Sequence, residues 1–579
     1  MNSLRSSHIH PLTSPLPIVL GVTGHRDLRT QDIPQLKHSV QTIFRELLAN
    51  YPSTPLTMLS SLAEGADRLV ADVALEMGID LVCPLPLPPE LYRSDFVTEE
   101  SRAEFDRLLR AAKSWFTLPL VEGVTNEDIK THGRPRDLQY AQVGAYHAQH
   151  SQILIALWDG LVLDSVGGTG KVVHYKLDGV PKIFGKTQSP LDPVETGPVY
   201  HVLTPRESNA DIKDAPFTVK KYFPRGYGED QEARTAFDRI FQQIDRFNSD
   251  TERYTLHLQQ HKPQSEAWLL GEQSKEELSE ELRSIVDHYS TADTLATYFQ
   301  RYTRRAFVGI FSFVFCAAAF FDLYAHLFHD EPLVLAGYLC ALMLAFIWYV
   351  FAKRRHYQTK YLDYRALAEG LRVQFFWRVA GLRQTAGDYY IRKQKSELDW
   401  IRFAMRTAAI PLNADSDAMD PGDTAKLRTR LERVLHSWVE DQAKYYPKAL
   451  KRDHHRLHRL ERTINILFYV GVILAVIQLL LEIPHELKDY VVVATGLAPI
   501  TAALLGGYIE RNALIGHIKQ YERMGVMFVQ AKEYLVALLK DRRYAEASDF
   551  IFELGTEALG ESGDWMLLHR ERPLEVPKG

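Results

Sequence analysis

The stretch PIVLGVTGHRDL, residues 17–28, decides the fold. Its first half is a short apolar run ending in glycine, the pattern of a strand buried on both faces of a parallel sheet. Its second half, GVTGHRDL (21–28), is a glycine-bearing turn. Behind it Ile33, Leu36, Val40, Ile43, Phe44 and Leu47 recur at helical spacing. The chain then repeats this unit. LTMLSSL (56–62) predicts a second strand, followed by a helix with Leu69, Val70, Val73, Ala74 and Met77 on one face and Gly78 as its stop. LVCPL (81–85) predicts a third strand, and Ser101-Arg-Ala-Glu104 reads as a capping box opening another helix. ILIALW (153–158) is the most apolar strand, and VYHVLT (199–204) closes the set. The alternation predicts an α/β domain over residues 15–225: a Rossmann-like, doubly wound, mostly parallel sheet.

The remainder differs in kind. The 579 residues suffice for more than one domain, and the net charge of −5 gives no basic field for nucleic acid, which is excluded as the main partner. Cys83, Cys316 and Cys340 form neither a disulfide framework nor a metal-ligand spacing. A slightly negative mean hydropathy hides four uncharged windows: 306–321, 332–352, 463–481 and 490–509. Each approaches the ~20 residues that a bilayer-crossing helix needs. Basic residues flank them on the outside: Arg301, Arg304 and Arg305, then Lys353, Arg354 and Arg355, then a run from Lys451 to Arg462, then Arg511 and Lys519. The loops inside each pair, HDE (329–331) and EIPHELKD (482–489), are short and acidic on balance. This predicts an all-α membrane region of four transmembrane helices in two hairpins, with both termini in the cytoplasm, at the inner membrane of the cell.

The expected organisation is a disordered tail (1–14), the α/β domain (15–225), a helical connector (226–300), a first two-helix module (301–410), a linker containing ADSDAMDPGD (411–450), a second module (451–545) and a C-terminal tail (546–579). In the connector, Phe237, Ile240, Phe241, Ile244 and Phe247 form a stripe that suits either a domain contact or an oligomer interface. Each hairpin is followed by a tyrosine-rich amphipathic helix, YLDYRALAEGLRVQFFW (361–377) and HIKQYERMGVMFVQAKEYL (517–535), so the membrane half reads as duplicated.

In a parallel sheet, ligands bind beyond the carboxyl ends of the strands, where helix starts expose backbone N–H groups. Three such loops carry suitable residues. The first holds Gly21, Thr23, Gly24, His25 and Arg26; the second Ser60, Ser61, Glu64, Gly65, Asp67 and Arg68. The third holds Trp158 and Asp159, with Gly167, Gly168, Thr169 and Gly170 beyond. Arginine suits phosphate through its planar fork, and Trp158 either stacks on a base or caps the core. VGGTGKVV (166–173) is not a Walker loop: Ser165 stands where the first Gly belongs, and Val172 replaces the hydroxyl residue after Lys171. His454 and His458 in HHRLH are spaced for a metal, but no third ligand is nearby, and the basic run serves as a membrane anchor. No residue is assigned to a metal. Asp322 and Gln478 are the polar exceptions in or beside the spans.

GVTGHRDL, LAEGADRLVADVALEMG and ILIALWDG with GGTGKVV resemble the SLOG superfamily, which includes LOG cytokinin-activating hydrolases, DprA-type proteins and the ligand-sensing part of melastatin-type TRP channels. The hairpins with their following helices, and KSELDWIRFAMR (395–406), resemble SLATT two-helix membrane modules. The resemblance implies a nucleotide or nucleotide-derived ligand at the three loops and a membrane effector of bacterial nucleotide signalling or phage defence; no cofactor is assigned. LOG hydrolases carry Pro-Gly-Gly-x-Gly-Thr-x-x-Glu with a catalytic Glu. Here Val166 replaces the Pro, Thr169 precedes Gly170, and KVVHYK follows without an acid.

Two functions are therefore carried forward. The first is a ligand-gated effector, acting as a homo-oligomer because four helices make a poor pore alone. The alternative is a membrane-tethered nucleotide hydrolase with Glu64 or Asp67 as acid/base.

Overall fold

The computed structural model describes residues 15–161, 167–185, 194, 196–209, 212, 214–271, 274–390, 398–410 and 424–573. Residues 1–14, Val166 and the ADSDAMDPGD stretch lie outside these.

The α/β part runs β1 (Ile18–Gly24), α1 (Ile33–Asn50), β2 (Leu56–Leu59), α2 (Ala66–Glu76), β3 (Asp80–Leu85), α3 (Pro89–Arg93), α4 (Glu99–Ala111), β4 (Ser114–Thr117), α5 (Arg134–His150), β5 (Ile153–Trp158), α6 (Thr169–Asp178), β6 (Val199–Leu203) and β7 (Val219–Tyr222). The helical part continues α7 (Asp230–Arg253), α8 (Thr255–Leu270), α9 (Glu280–His326), α10 (Pro332–Arg354), α11 (Tyr357–Val379), α12 (Asp399–Ala408), α13 (Thr424–Val434), α14 (Glu440–Leu480), α15 (His485–Arg511), α16 (Leu514–Lys540) and α17 (Tyr544–Arg570).

The seven strands order as β4-β3-β2-β1-β5-β6-β7, parallel except for the antiparallel last pair. Chain direction across the sheet reverses between β1 and β5, which makes that gap the topological switch point. Helices α1, α2 and α4 pack consecutively, as do α5 and α6. Every residue of β5 is buried. Two strands escape the sequence reading, β4 and β7. Both are four-residue edge strands, and β7 is polar and largely exposed.

The chain divides into two compact units, with residues 1–259, 273–288 and 392–419 in the first. Helix α12, expected to close the first membrane module, belongs to that first unit. There Thr407 Oγ1 accepts a hydrogen bond from Gln152 Nε2 (2.7 Å), while Gln152 Oε1 accepts from Val19 N. Ile410 joins Val19, Leu59, Val82, Phe116 and Val143 in one apolar cluster. Trp400 meets Phe247 of the α7 stripe, which therefore serves an intradomain contact.

Among the described residues, four helices are long and apolar enough to cross a membrane. Their surfaces are inverted relative to the sheet domain. Large apolar side chains such as Phe346, Ile347, Ile473 and Leu479 face outward, while Ala341, Ala345, Ala498 and Ala502 are buried. Close approach depends on glycine: Gly309 lies under Trp348, Gly337 under Phe320, and Gly471 beside Ala498 and Pro499.

The two hairpins leave through the same joint. His356 and Ala513 both adopt the left-handed conformation (φ 53° and 50°) between one apolar helix and the next amphipathic one. Arg355 N–Phe351 O, His356 N–Lys353 O and Lys360 N–His356 O recur as Asn512 N–Tyr508 O, Ala513 N–Glu510 O and His517 N–Ala513 O. The C-terminal segment expected as a tail instead forms α17, which packs on α11 and α16, with Gly555 against Trp377.

Gln152→Leu strands Val19 N–H in a buried site, while the Thr407 hydroxyl keeps its hydrogen bond to Phe403 O (3.0 Å). It is expected to cost about 2 kcal/mol, against about 1 kcal/mol for Thr407→Val, in denaturation of the detergent-solubilised full-length chain.

Candidate functional site

The site is built where α2 begins against the end of β1. Gly65 (φ 80°) precedes α2, and a Cβ there would stand 2.4–2.5 Å from the carbonyl oxygens of Arg26 and His25. A Cβ on Gly24 would stand 2.2 Å from that of Ala66. With both side chains absent, Ala66 N donates to His25 O (3.0 Å). These two glycines thus serve strand–helix approach. Gly21 lies within β1, where a Cβ would meet Ser151 at 2.9 Å.

The second loop leaves the sheet after Leu59 because Ser60 and Ser61 turn inward. Ser60 Oγ accepts from Leu62 N (3.2 Å) and donates to Asp67 O (3.0 Å), with Leu62 held at φ 58°. Ser61 Oγ donates to Asp67 Oδ2 (2.7 Å). Burial raises the Asp67 carboxyl to about 6, against the opposing effects of the Ser61 hydrogen bond and the Arg26 charge. Arg68 is buried. Its Nε donates to Leu62 O (3.0 Å) and its Nη1 to Ser101 O, Ser101 Oγ and Glu104 (each 2.9 Å), while Nη2 is buried without a partner. Ser101 also donates to Glu64. Ser101 and Glu104 are therefore pocket residues and not a capping box. The cap of α4 is Thr98, whose hydroxyl accepts from Ser101 N.

Between these elements lies a cavity of about 590 Å³. Arg26, Glu64 and Arg68 come to it from the first two loops, and Glu100, Ser101, Glu104 and Arg107 from α4. Arg107 is committed to Asp72 (2.7 Å). Arg26 is exposed, has no ion pair among the described residues, and lies over the Tyr140 ring at 5.9 Å.

The third loop goes elsewhere. At the switch point itself, Arg206 Nη1 meets His25 Nδ1 (3.2 Å), while His25 Nε2 accepts from Asp159 N (3.1 Å) and lies 3.1 Å from Asp159 Oδ1. Arg206 also pairs with Asp27 (3.0 Å), and Asn209 donates to Asp159 Oδ2 (3.0 Å). Burial and the Arg206 charge lower the His25 pKa against the pull of Asp159. Burial opposes ionisation of Asp159, yet hydrogen bonds from Asn209 and Leu161 N, with His25, hold its carboxyl below the ordinary range. Asp27 lies in the GVTGHRDL turn without having been singled out there, and no local pattern marks Arg206 or Asn209.

Thr23 is buried at the end of β1. Trp158 is 8% exposed and donates Nε1–H to Leu161 O (2.9 Å), so its ring belongs to the core beside Val172, Val173 and Val199. Gly168 caps α6, whose first residues are Thr169 and Gly170, and Gly167 (φ 78°) lies against Ala141 of α5. The structure thus brings the first two loops onto one cavity, joins Asp159 to His25, and places the Gly167–Gly170 turn beside α5. No protein-family model and no curated protein matches the chain.

Because the folded chain holds the Asp67 proton more tightly than the unfolded chain, this group stabilises below about pH 4, and the contribution is lost as pH rises through about 6. Wild type is expected to lose about 3 kcal/mol relative to Asp67→Asn across that interval. Denaturation of both proteins over a pH series checks it.

Proposed function

We propose that the α/β unit is a receptor for a small phosphate-bearing ligand of nucleotide type, and that occupancy shifts the membrane helices between two states. The observation that carries this reading is Arg26, an uncommitted guanidinium at a polar cavity of about 590 Å³, a volume suited to a small molecule. Its neighbours Glu64, Glu100 and Glu104 offer acceptors for sugar hydroxyls, as acidic residues do in dinucleotide folds. A ligand with different affinity for two states suffices to move their populations.

The likeness to SLOG and SLATT modules supports a bacterial effector that opens a pore or disrupts the membrane, in nucleotide signalling or phage defence, as a homo-oligomer. The basic outer flanks of the four helices support cytoplasmic termini at the inner membrane. A second reading, a membrane-tethered nucleotide hydrolase, is favoured by one observation: the cavity carboxyl Glu64 lies close in sequence to Asp67, whose carboxyl is raised to about 6.

Full-length protein in detergent, incubated with a nucleotide panel that includes cyclic dinucleotides and NAD-derived compounds, is expected to retain one compound intact by mass spectrometry. Arg26→Glu should lower that retention at least tenfold while leaving the melting temperature within a few degrees. Release of a free base or sugar phosphate, abolished by Glu64→Gln, would instead establish the hydrolase. Equal retention by wild type and Arg26→Glu would remove the cavity from the site.

A further inference from the structure

The two membrane hairpins meet along a seam, and one acid lies in it. Gly507 of α15 rests against Phe311 of α9, and Gly496 rests against Asp322. A Cβ on Gly496 would stand 3.1 Å from both carboxyl oxygens of Asp322, so the missing side chain is what admits the carboxyl to this contact. Asp322 is the one acidic residue between 306 and 327. Its Oδ1 faces His326 Nε2 at 3.6 Å, one helical turn on, and its Oδ2 is buried with no hydrogen-bond partner.

Beyond His326, the apolar stretches packed around it bring no charged side chain. The stretches 332–352 of α10, 463–481 of α14 and 490–509 of α15 are uncharged, and Tyr338 of α10 lies tilted against Phe321, with ring centroids 5.4 Å apart. Charged and titratable groups resume at His329, Asp330 and Glu331 in the first loop, at Glu482 in the second, and at His485, Glu486, Lys488 and Asp489 at the start of α15. A second group of polar atoms adjoins Gly496. Gln478 Nε2 of α14 donates to Thr495 Oγ1 (2.7 Å) and to Val491 O (3.3 Å). Pro499, inside α15, has no N–H to give the Thr495 carbonyl its helical hydrogen bond. A polar band therefore runs from Asp322 through Thr495 and Gly496 to Gln478, close to the ends of α9 and α14 that carry the short loops.

A carboxylate oxygen left without a partner in apolar surroundings is relieved by a cation or by a proton, and ionisable residues in membrane-spanning helices mark ion and proton sites. We propose that Asp322 is a membrane-embedded proton-binding site at the seam between the hairpins, so that loading and unloading its proton alters how they pack. This inference rests on the four helices crossing a membrane and stands whatever the loops of the α/β unit bind.

Dicyclohexylcarbodiimide tests it on the full-length protein in liposomes, because the reagent adds to a protonated carboxyl in apolar surroundings and leaves a stable acylurea. Peptide mapping by mass spectrometry is expected to find the adduct on Asp322, at a rate that falls as pH rises, and to lose it in Asp322→Asn. Gly496→Ala, which sets a methyl against the carboxyl, is expected to change the labelling rate several-fold. Absence of adduct on wild-type Asp322 at every pH would overturn the proposal, and this arm needs no variant to fold. Protection by sodium or potassium at constant pH would overturn it in favour of an alkali-cation site. An unchanged rate in Gly496→Ala would overturn the seam.

Discussion

Two backbones come together where β1 ends, and the cavity of the α/β domain depends on that approach. The start of α2 donates its first free N–H to His25 O, across a gap that neither Gly24 nor Gly65 fills with a side chain. From this contact Arg26 and Glu64 reach one cavity, and the first turn of α2 carries Arg68 under α4, where Ser101 and Glu104 hold it. A methyl group at either glycine would push helix and strand apart and separate these side chains together.

The same junction explains why the cavity is offset from the switch point. The crevice between β1 and β5, where ligands usually enter such sheets, is occupied by His25, Asp159, Asp27, Arg206 and Asn209 bonded to one another. Open volume is left on the β2 side, under α4. The membrane helices obey another constraint. Their backbone groups are satisfied within each helix, so packing rests on glycine and alanine contacts, and the large apolar side chains turn outward.

What could be read from the sequence followed from how local each determinant is. The run ILIALW gives β5 to the residue because burial on both faces leaves a continuous apolar signal. The parallel sheet and the four long apolar helices follow from the same kind of signal. SWFT and VKKY are too short and, in the second case, too polar to stand out, since edge strands are covered on fewer sides. The helix start at Thr98 lies three residues before the Ser-x-x-Glu pattern, which the fold uses for Arg68 instead. Arg206 and Asn209 meet His25 and Asp159 only through the sheet, so nothing near either pair announces them. Trp158 carried two readings that only packing could separate.

Helix α12 and Ile410 complete the apolar floor beneath Val19 and Gln152, yet they are encoded after both helices of the first hairpin. Synthesis proceeds from the N-terminus, so the sheet domain emerges from the ribosome with part of its core still unmade. The first two membrane helices are translated, and must find their bilayer, before that core can close. A gene fragment stopping at the end of α7 would encode every strand but not the whole domain, and an insertion machinery that stalled on the first hairpin would leave the α/β domain unfinished as well.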